Sequence, residues 1–241
     1  MMRGLWVALG FLTRLPLPPQ RFDPSAAAAS ESLAWYPAVG LLLGGLLWAA
    51  AWLLQALPVP LAAGLLLAGW VALSGALHLD GLADSADAWV GGLGDRERTL
   101  AIMKDPRCGP AGVVALVLML LLKYAALLSL VPIQGASLLL APLLARGALS
   151  LLALTTPYVR RDGLGSALPA APRAACGYGL ALCVLFAALC GAAGWRALAA
   201  SLLVFWLWRR AGLRRIGGWT GDTAGALAEL VELAVLVAVS L

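Results

Sequence analysis

Seven long and almost uncharged stretches separate the polar segments of this chain, and they limit its fold more than any other feature. They cover about residues 34–56, 61–79, 112–131, 137–155, 176–195, 197–208 and 223–241. Most of them approach the roughly twenty apolar residues that a helix needs to cross a bilayer, although the sixth is short. We therefore expect an all-α fold, a polytopic membrane bundle of about seven transmembrane helices in a single membrane-embedded domain over residues 1–241.

The composition supports a membrane protein over a soluble domain. Of the 241 residues, 62% are hydrophobic and 12% are charged, whereas about 25% of the residues in a soluble domain are charged. The net charge of +5 is compatible with nucleic acid binding, but the positions of the basic residues indicate membrane topology instead. We expect membrane lipid around the bundle and no nucleic acid partner.

The basic residues collect in four polar segments. Fourteen of the seventeen Lys and Arg residues lie in segments 1–33, 80–109, 156–174 and 209–222. With seven spans, these segments share one side of the membrane, and basic short loops mark the cytoplasmic side. The first of them, with a short apolar run before several prolines, is typical of an interfacial helix followed by an irregular linker.

The segment 78–109 carries the strongest chemical signal. It contains six of the twelve carboxylates and the only histidine, His78. The spacing of Asp80, Asp84 and Asp87 places all three on one face of a helix. A bound cation stabilises such a cluster, and Mg²⁺ binds one or two carboxylates together with substrate phosphates. The pattern predicts a Mg²⁺ site, with a solvated acidic helix face as the alternative.

We expect one or two short helices within residues 80–109. The glycine-rich sequence GGLG at 91–94 should break the segment once, and Pro106 should break it again. Residues 78–109 would then form an acidic catalytic loop at the membrane surface.

A second acidic set begins the last apolar stretch. Asp222 and Glu229 are seven residues apart and share a helix face, and Glu232 lies just beyond them. A charged side chain inside a membrane costs at least a few kcal/mol unless it is paired or hydrated. We therefore predict that this set joins the first one in a cytoplasmic cavity and binds metal. The alternative is a structural ion pair of the two glutamates with Arg146 or Lys123.

Cations and glycines accompany the acidic residues. Glycine lets backbone N–H groups approach a phosphate, and Arg offers a two-pronged donor. The candidates for phosphate binding are Lys104, Arg107, Arg160, Arg161 and Arg215. A metal-binding acidic cluster and a basic rim on one surface suit phosphoryl transfer to or from a diphosphate ester. His78 is either a general base or an orienting residue beside the metal ligands.

Several motifs run along the whole chain in order. They are GFLTRLPLP (10–18), WYPAVGLLLG (35–44), ALHLDGLADSADAWVGG (76–92), RTLAIMKDPRCGPAGVVALVLMLLLKYAAL (98–127), ARGAL (145–149), YVRRDGLG (158–165) and GGWTGDTAGALAELVE (217–232). In these motifs the chain resembles the cobalamin synthase family, also called the adenosylcobinamide-GDP ribazoletransferases. The departures, such as Ser85 and Trp219, remove no acidic or basic motif residue.

The resemblance implies a Mg²⁺-dependent, multi-pass transferase of the bacterial inner membrane whose active site faces the cytoplasm. Such an enzyme joins adenosylcobinamide-GDP to α-ribazole or its phosphate, releases GMP and completes the nucleotide loop of vitamin B12. The implied catalytic residues are His78, Asp80, Asp84 and Lys104. The implied substrate- or phosphate-binding residues are Arg107, Arg146, Arg160, Arg161, Arg215 and Thr220. The implied metal ligands are Asp80, Asp84, Asp87, Asp222 and Glu229.

Two other functions share part of this pattern. CDP-alcohol phosphotransferases also use a membrane-embedded acidic cluster and a metal, but their Ala-Arg pair after the DG-x-x sequence is replaced here by Asp84 and Ser85. A transporter would use Glu229 and Glu232 to carry protons or cations. A transporter would also spread acidic residues through several spans, whereas the spans before the last contain none.

Overall fold

The computed structural model describes residues 2–18, 25–131, 137–160 and 164–241. Within these ranges the chain is helical and contains no strand beyond an isolated bridge between Tyr158 and Trp219, so the all-α prediction is confirmed. The α-helices are α1 (Met2–Leu12), α2 (Ala26–Ser32), α3 (Tyr36–Leu53), α4 (Val59–Ser74), α5 (Leu77–Gly91), α6 (Arg96–Ile102), α7 (Pro110–Leu130), α8 (Ser137–Thr155), α9 (Arg173–Leu189), α10 (Gly191–Ile216) and α11 (Gly221–Ser240). Two 3₁₀ segments cover Leu33–Trp35 and Leu164–Ala170.

Five helical stretches in the described part of the chain are long and apolar enough to cross a membrane. They are Ala26–Leu53, Pro110–Leu130, Leu138–Thr155, Gly191–Ile216 and Gly221–Ser240. The pair α4 and α5, bent by 87°, raises the count to six if it forms one broken span. Helix α9, with 17 residues, is apolar but shorter. These lengths fit a multi-pass helical membrane protein, and the number seven stays a prediction.

The second predicted span ends earlier than the sequence pattern indicates. It was expected to continue to residue 79, but α4 ends at Ser74 because Gly75 and Ala76 both adopt left-handed backbone angles, with φ of 65° and 57°. A left-handed residue ends a helix, and glycine adopts this conformation at little cost. The chain therefore turns sharply, and α5 starts before the acidic residues instead of after a continuous span.

The boundary between the fifth and sixth predicted spans was also wrong. The turn occurs at Gly191, which has a φ of 60°, whereas the sequence pattern placed it after residue 195. Helix α10 begins at this turn and runs for 26 residues to Ile216. Its arginine-rich end stays helical because arginine is a good helix former. The stretch that looked too short to span is therefore the middle of a long helix.

Helix α8 is at the centre of the bundle. Leu138, Leu140 and Leu143 on this helix are fully buried. Helix α3 approaches α8 closely, since a Cβ atom on Gly44 would lie 2.7 Å from the Cα atom of Leu139. Helix α7, in contrast, exposes many large apolar side chains, including Val117. An exposed apolar face of this length suits contact with lipid.

The four basic polar segments lie together, as the charge pattern indicates. The backbone N–H of Arg14 donates to the carbonyl of Leu73 at 2.7 Å. The Arg96 Nε atom donates to the carbonyl of Ile216 at 2.9 Å. The backbone N–H of Trp219 donates to the carbonyl of residue 157 at 3.0 Å. These contacts gather the polar ends of the helices into one region, where the acidic helix α5 is also found.

Candidate active site

Helices α5 and α11 touch through their backbones. A Cβ atom on Gly81 would lie 2.6 Å from the carbonyl oxygen of Asp222, and one on Gly225 would lie 3.2 Å from the Cα atom of His78. A real Cβ atom does not come within 2.6 Å of a carbonyl oxygen, so residue 81 must be glycine for the two helices to lie this close. The contact brings the start of α5, with Asp80, against the start of α11.

A cavity of about 380 Å³ lies beside this contact. Its polar lining consists of His78, Asp80, Arg160 and Asp222. Most of the remaining lining is apolar or aromatic. The structure therefore places Asp222 in the same cavity as Asp80, as predicted for these two residues.

The charges around Asp84 leave an excess of negative charge. Partial burial opposes the ionisation of Asp84 most strongly. Ionised Asp80, Asp222 and Asp87 oppose it further, and the guanidinium of Arg160 favours it. Arg160 already donates a hydrogen bond to the Asp222 Oδ2 atom at 2.6 Å. Four carboxylates that share one nearby guanidinium repel one another, and a divalent cation would relieve this repulsion.

The five predicted metal ligands do not form one group in the described structure. The described residues contain no group of three or more His, Cys, Asp or Glu side chains placed to hold a metal ion. Asp80 and Asp84 remain as carboxylates that no hydrogen bond to the protein occupies in the described structure. A pair of carboxylates suits Mg²⁺, which commonly completes its coordination with substrate phosphates and water.

The carboxylate of Asp87 accepts hydrogen bonds from two backbone N–H groups of another helix. Its carboxylate oxygens accept the backbone N–H groups of Gly109 at 2.6 Å and Gly112 at 2.9 Å. These two groups belong to the start of α7, where backbone donors have no partner within the helix. Asp87 therefore caps α7 from another helix, and its role as a metal ligand stays a prediction.

Thr220 also has a structural role in place of the predicted phosphate-binding role. It is the N-cap of α11, and its hydroxyl accepts the N–H of Thr223 at 3.3 Å while the Thr223 hydroxyl accepts the Thr220 N–H at 2.8 Å. This reciprocal pair forms a capping box. Thr220 is fully buried, so it holds the start of α11 in place without facing the cavity.

Glu229 lies in a buried ion network and is not among the residues that line the cavity. The Lys123 Nζ atom lies 2.7 Å from Glu229 and 2.6 Å from Glu232, and Arg146 pairs with Glu232 as well. All four side chains are at most 4% exposed. The structure therefore pairs Glu229 with Lys123 and Arg146 with Glu232, and the roles of Glu229 as a metal ligand and of Arg146 as a substrate-binding residue stay predictions. The alternative of a structural ion pair applies, because burial demands that each charge be paired.

The same network determines how His78 can act. The His78 Nδ1 atom lies 3.5 Å from the Nη2 atom of Arg146. A guanidinium has donors and no acceptor, so Nδ1 accepts and the neutral ring carries its hydrogen on Nε2. In this form Nε2 can donate a hydrogen bond, whereas the Nδ1 lone pair faces the Arg146 guanidinium and is poorly placed to take a proton from a substrate. Of the two predicted roles, the geometry favours an orienting donor over a general base.

Three other predicted cations, all within the described residues, do not line the cavity. Arg107 is 86% exposed and pairs with Asp105 at 2.7 Å, a contact that lowers the pKa of Asp105 to about 2. Lys104 is exposed. Arg215 donates to the carbonyl of Trp89 at 2.7 Å and lies over its ring. Arg161 falls outside the described residues. Of the predicted phosphate-binding residues in the described ranges, Arg160 is the one that the structure places in the cavity.

Sequence reasoning missed the aromatic wall of the cavity. Phe11 stacks near Tyr36, with ring centroids 6.3 Å apart, and Tyr158 meets Trp219 edge to face at 4.6 Å. All four line the cavity. All four residues lie in the motifs GFLTRLPLP, WYPAVGLLLG, YVRRDGLG and GGWTGD, but no local pattern shows that their rings share one cavity.

Gly81→Ala is expected to destabilise the protein by about 1–3 kcal/mol, the usual cost of overpacking a close contact. The added Cβ would meet the carbonyl oxygen of Asp222 at 2.6 Å and force α5 away from α11. Gly69→Ala in α4 is the matched control, because no atom lies within 4 Å of a Cβ at that position. Thermal unfolding in detergent measures both variants. Equal midpoints for the two would contradict the backbone contact.

Comparison with known proteins gives one consistent result over the full chain. The family model of cobalamin-5-phosphate synthase matches residues 4–240. Proteins named adenosylcobinamide-GDP ribazoletransferase are similar to this chain. The one from Stutzerimonas stutzeri is 59% identical and the one from Pseudomonas putida is 57% identical, each over 242 residues that cover 100% of this chain and 98% or 99% of the relative. A third, from Pseudomonas aeruginosa, is 55% identical over 100% of this chain and 98% of the relative.

No solved structure matches the chain. The family model nevertheless covers α1 to α11 and therefore every helix that lines the cavity. On this evidence, the chain belongs to the cobalamin-5-phosphate synthase family.

Proposed function

We propose that this protein is an adenosylcobinamide-GDP ribazoletransferase, which joins adenosylcobinamide-GDP to α-ribazole or its phosphate and releases GMP. One observation carries the proposal: Asp80, Asp222 and Arg160 meet an aromatic wall in a single cavity. With a divalent cation at the carboxylates, this set of charges suits a diphosphate, and the aromatic wall suits a base. Membership of the family and the names of the similar proteins support the same activity.

The reaction is a phosphoryl transfer. A ribose hydroxyl of the nucleoside attacks the phosphorus atom that carries the aminopropanol arm of cobinamide. A new P–O bond forms, the bond from this phosphorus to the bridging oxygen breaks, and GMP leaves with the bonding electron pair. The hydroxyl also loses a proton, which a nearby base must accept.

Asp222 suits the role of proton acceptor. Its Oδ2 atom is engaged by Arg160 at 2.6 Å and by Thr220 at 3.3 Å, which fixes the carboxylate and leaves Oδ1 for the substrate hydroxyl. A single aspartate accepts the hydroxyl proton in protein kinases in a comparable way. Arg160 donates charge-assisted hydrogen bonds on the same side of the cavity, where negative charge develops on the phosphoryl oxygens.

Asp80 and Asp84 are the residues that would hold Mg²⁺. The ion would neutralise negative charge on the diphosphate of the substrate. His78 supplies a hydrogen-bond donor next to these carboxylates, held in orientation by Arg146. In this proposal the carboxylates of α5 hold the Mg²⁺ that neutralises the diphosphate. The carboxylate of α11 accepts the proton of the attacking hydroxyl.

We infer that the protein is located in the bacterial inner membrane with the cavity facing the cytoplasm. The support is the concentration of basic residues in the four polar segments, because such residues mark the cytoplasmic side of membrane proteins. Several residues that line the cavity belong to the same segments, including Arg160 and Asp222. This orientation also gives a nucleotide substrate direct access from the cytoplasm.

Membrane vesicles of both orientations test the function and the orientation together. Inverted vesicles should release GMP when adenosylcobinamide-GDP, α-ribazole and Mg²⁺ are all present, and sealed right-side-out vesicles should not. Omission of α-ribazole or chelation of Mg²⁺ should stop the release. GMP release without α-ribazole would indicate a hydrolase, and product formation from a CDP-alcohol would favour a phosphotransferase of that class.

A further inference from the structure

We propose that the cavity of about 380 Å³ binds the nucleoside substrate, and that its aromatic wall selects a base whose edge carries no hydrogen-bonding groups. This inference rests on the proposed function. It places the corrin ring and the guanine of the other substrate outside the cavity. Only the diphosphate of that substrate then reaches the polar residues Asp80 and Arg160.

The size of the cavity favours the nucleoside. A volume of about 380 Å³ is close to the lower end of the range of about 300–1,000 Å³ for pockets that hold drug-sized ligands. One bicyclic base with one ribose is a ligand of that size. A corrin macrocycle with its amide side chains is far larger, so the cavity cannot enclose it.

The cavity has two chemically distinct walls. The polar wall comes from the starts of α5 and α11, with His78, Asp80 and Asp222, while the opposite lining includes Leu149 and Leu168 together with the aromatic rings. A nucleoside has the same division, since its ribose carries hydroxyls and its base presents flat faces. With the base on the apolar wall, a ribose hydroxyl lies on the side of Asp222, which is the proposed proton acceptor.

The apolar wall offers ring faces and aliphatic side chains with few polar atoms. Phe11, Leu149 and Leu168 have no polar side-chain atom, and the Trp219 Nε1 atom donates to the carbonyl of Thr156 at 3.0 Å. Ring faces attract any flat base through stacking. Polar groups on the edge of a base, however, would have no free partner on these four side chains.

This wall therefore distinguishes bases by their edges. A dimethylbenzimidazole has methyl groups where guanine has a carbonyl, a ring N–H and an amino group, and where adenine has an amino group and ring nitrogens. Burying such groups without partners weakens binding. An apolar pocket rejects a ligand that carries an extra polar group by about 10²-fold at most. We therefore expect α-ribazole to be preferred over the α-riboside of adenine by about 10- to 100-fold in kcat/KM.

The first test compares the KM values of the two substrates in Tyr158→Leu. Loss of a stacking ring should raise the KM for α-ribazole about tenfold or more, while the KM for adenosylcobinamide-GDP should stay within about twofold. The reverse pattern would overturn the proposal and assign the cavity to the guanine. An unchanged KM for both substrates would overturn it too. A general loss of folding would not separate the two KM values in this way.

Equilibrium dialysis covers the case in which Tyr158→Leu has no measurable turnover. Purified wild-type and variant proteins are dialysed separately against α-ribazole and against GMP. Loss of α-ribazole binding with GMP binding retained supports the proposal, and the opposite result, or loss of neither, overturns it. A wild-type protein that releases no GMP in the vesicle assay would instead count against the proposed function itself.

The second test changes the specificity for the base. Leu168→Asn places an amide on the apolar wall, so the preference for α-ribazole over the α-riboside of adenine should fall at least about tenfold, chiefly through better use of the purine. Leu168→Met is the matched control, because it keeps the wall apolar and should keep the preference. A wild-type protein that uses both ribosides equally, or a preference that Leu168→Asn leaves unchanged, would refute the selection of the base by this wall.

Discussion

Replacing Asp84 or Asp80 by asparagine is expected to lower the rate of GMP release by about 10²–10³-fold, the effect of losing one electrostatic contact to a reacting centre. The substitution keeps the size of the side chain and removes one of the carboxylates that repel each other around Asp84. The folded protein should therefore remain in the membrane. The measurement is the initial rate of GMP release during a Mg²⁺ titration, and high Mg²⁺ should restore part of the activity.

Asp95→Asn is the control for this prediction. Asp95 belongs to the same acidic segment, but its side chain caps α6 by accepting the N–H of Arg98 at 2.8 Å. Asparagine caps a helix equally well, so this variant should keep the wild-type rate. Near-normal rates for both Asp80→Asn and Asp84→Asn at ordinary Mg²⁺ would indicate that the acidic face of α5 is merely solvated.

Lys123→Met is expected to destabilise the protein by about 3–5 kcal/mol, the usual cost of removing one partner of a buried ion pair. The two glutamates would then share Arg146 as their cation, which leaves one buried negative charge without compensation. Most of the protein should be lost during extraction into detergent, and the remainder should unfold at a lower temperature. The yield of monodisperse protein and its thermal midpoint measure this effect.

A second substitution should largely reverse the loss. In Lys123→Met/Glu229→Gln the remaining pair of Arg146 and Glu232 is neutral again, so stability should recover most of the way, since neutral replacements for a buried pair are often tolerated. The rate of GMP release per folded molecule should recover with it. A folded Glu229→Gln protein without activity would contradict the structural role and return Glu229 to the active site.

The sequence was sufficient to locate the acidic helix. The spacing of Asp80, Asp84 and Asp87 predicted one helix face, and α5 contains all three. The breaks expected at the glycine-rich sequence and near Pro106 are found between α5, α6 and α7. These features depend on local backbone preferences, and local preferences can be read from neighbouring residues.

Pairing between helices could not be read in the same way. Helical periodicity shows that Glu229 and Asp222 share a face, but it does not show that α7 presents Lys123 to one end of this face while Arg160 meets the other. Which cation pairs with each carboxylate depends on packing between helices that are far apart in the chain. The capping of α7 by Asp87, 22 residues before Gly109, is a non-local contact of the same kind.

The sharp turn before α5 was missed for a related reason. Gly75 is a plausible helix end in any sequence, but Ala76 with a φ of 57° is not expected, because side chains disfavour left-handed backbone angles. The surrounding structure holds this residue in place: the end of α1 meets the turn where the Arg14 N–H donates to the Leu73 carbonyl. Tertiary contacts here override the local preference.

The backbone contact between Gly81 and Asp222 has an electrostatic consequence of its own. Helices α5 and α11 both begin at the cavity, at Leu77 and Gly221, and the start of a helix carries about half a positive elementary charge from its aligned peptide dipoles. Two such ends side by side offset part of the negative charge of Asp80 and Asp222. They also favour a phosphate in the cavity at every pH, because peptide dipoles do not titrate.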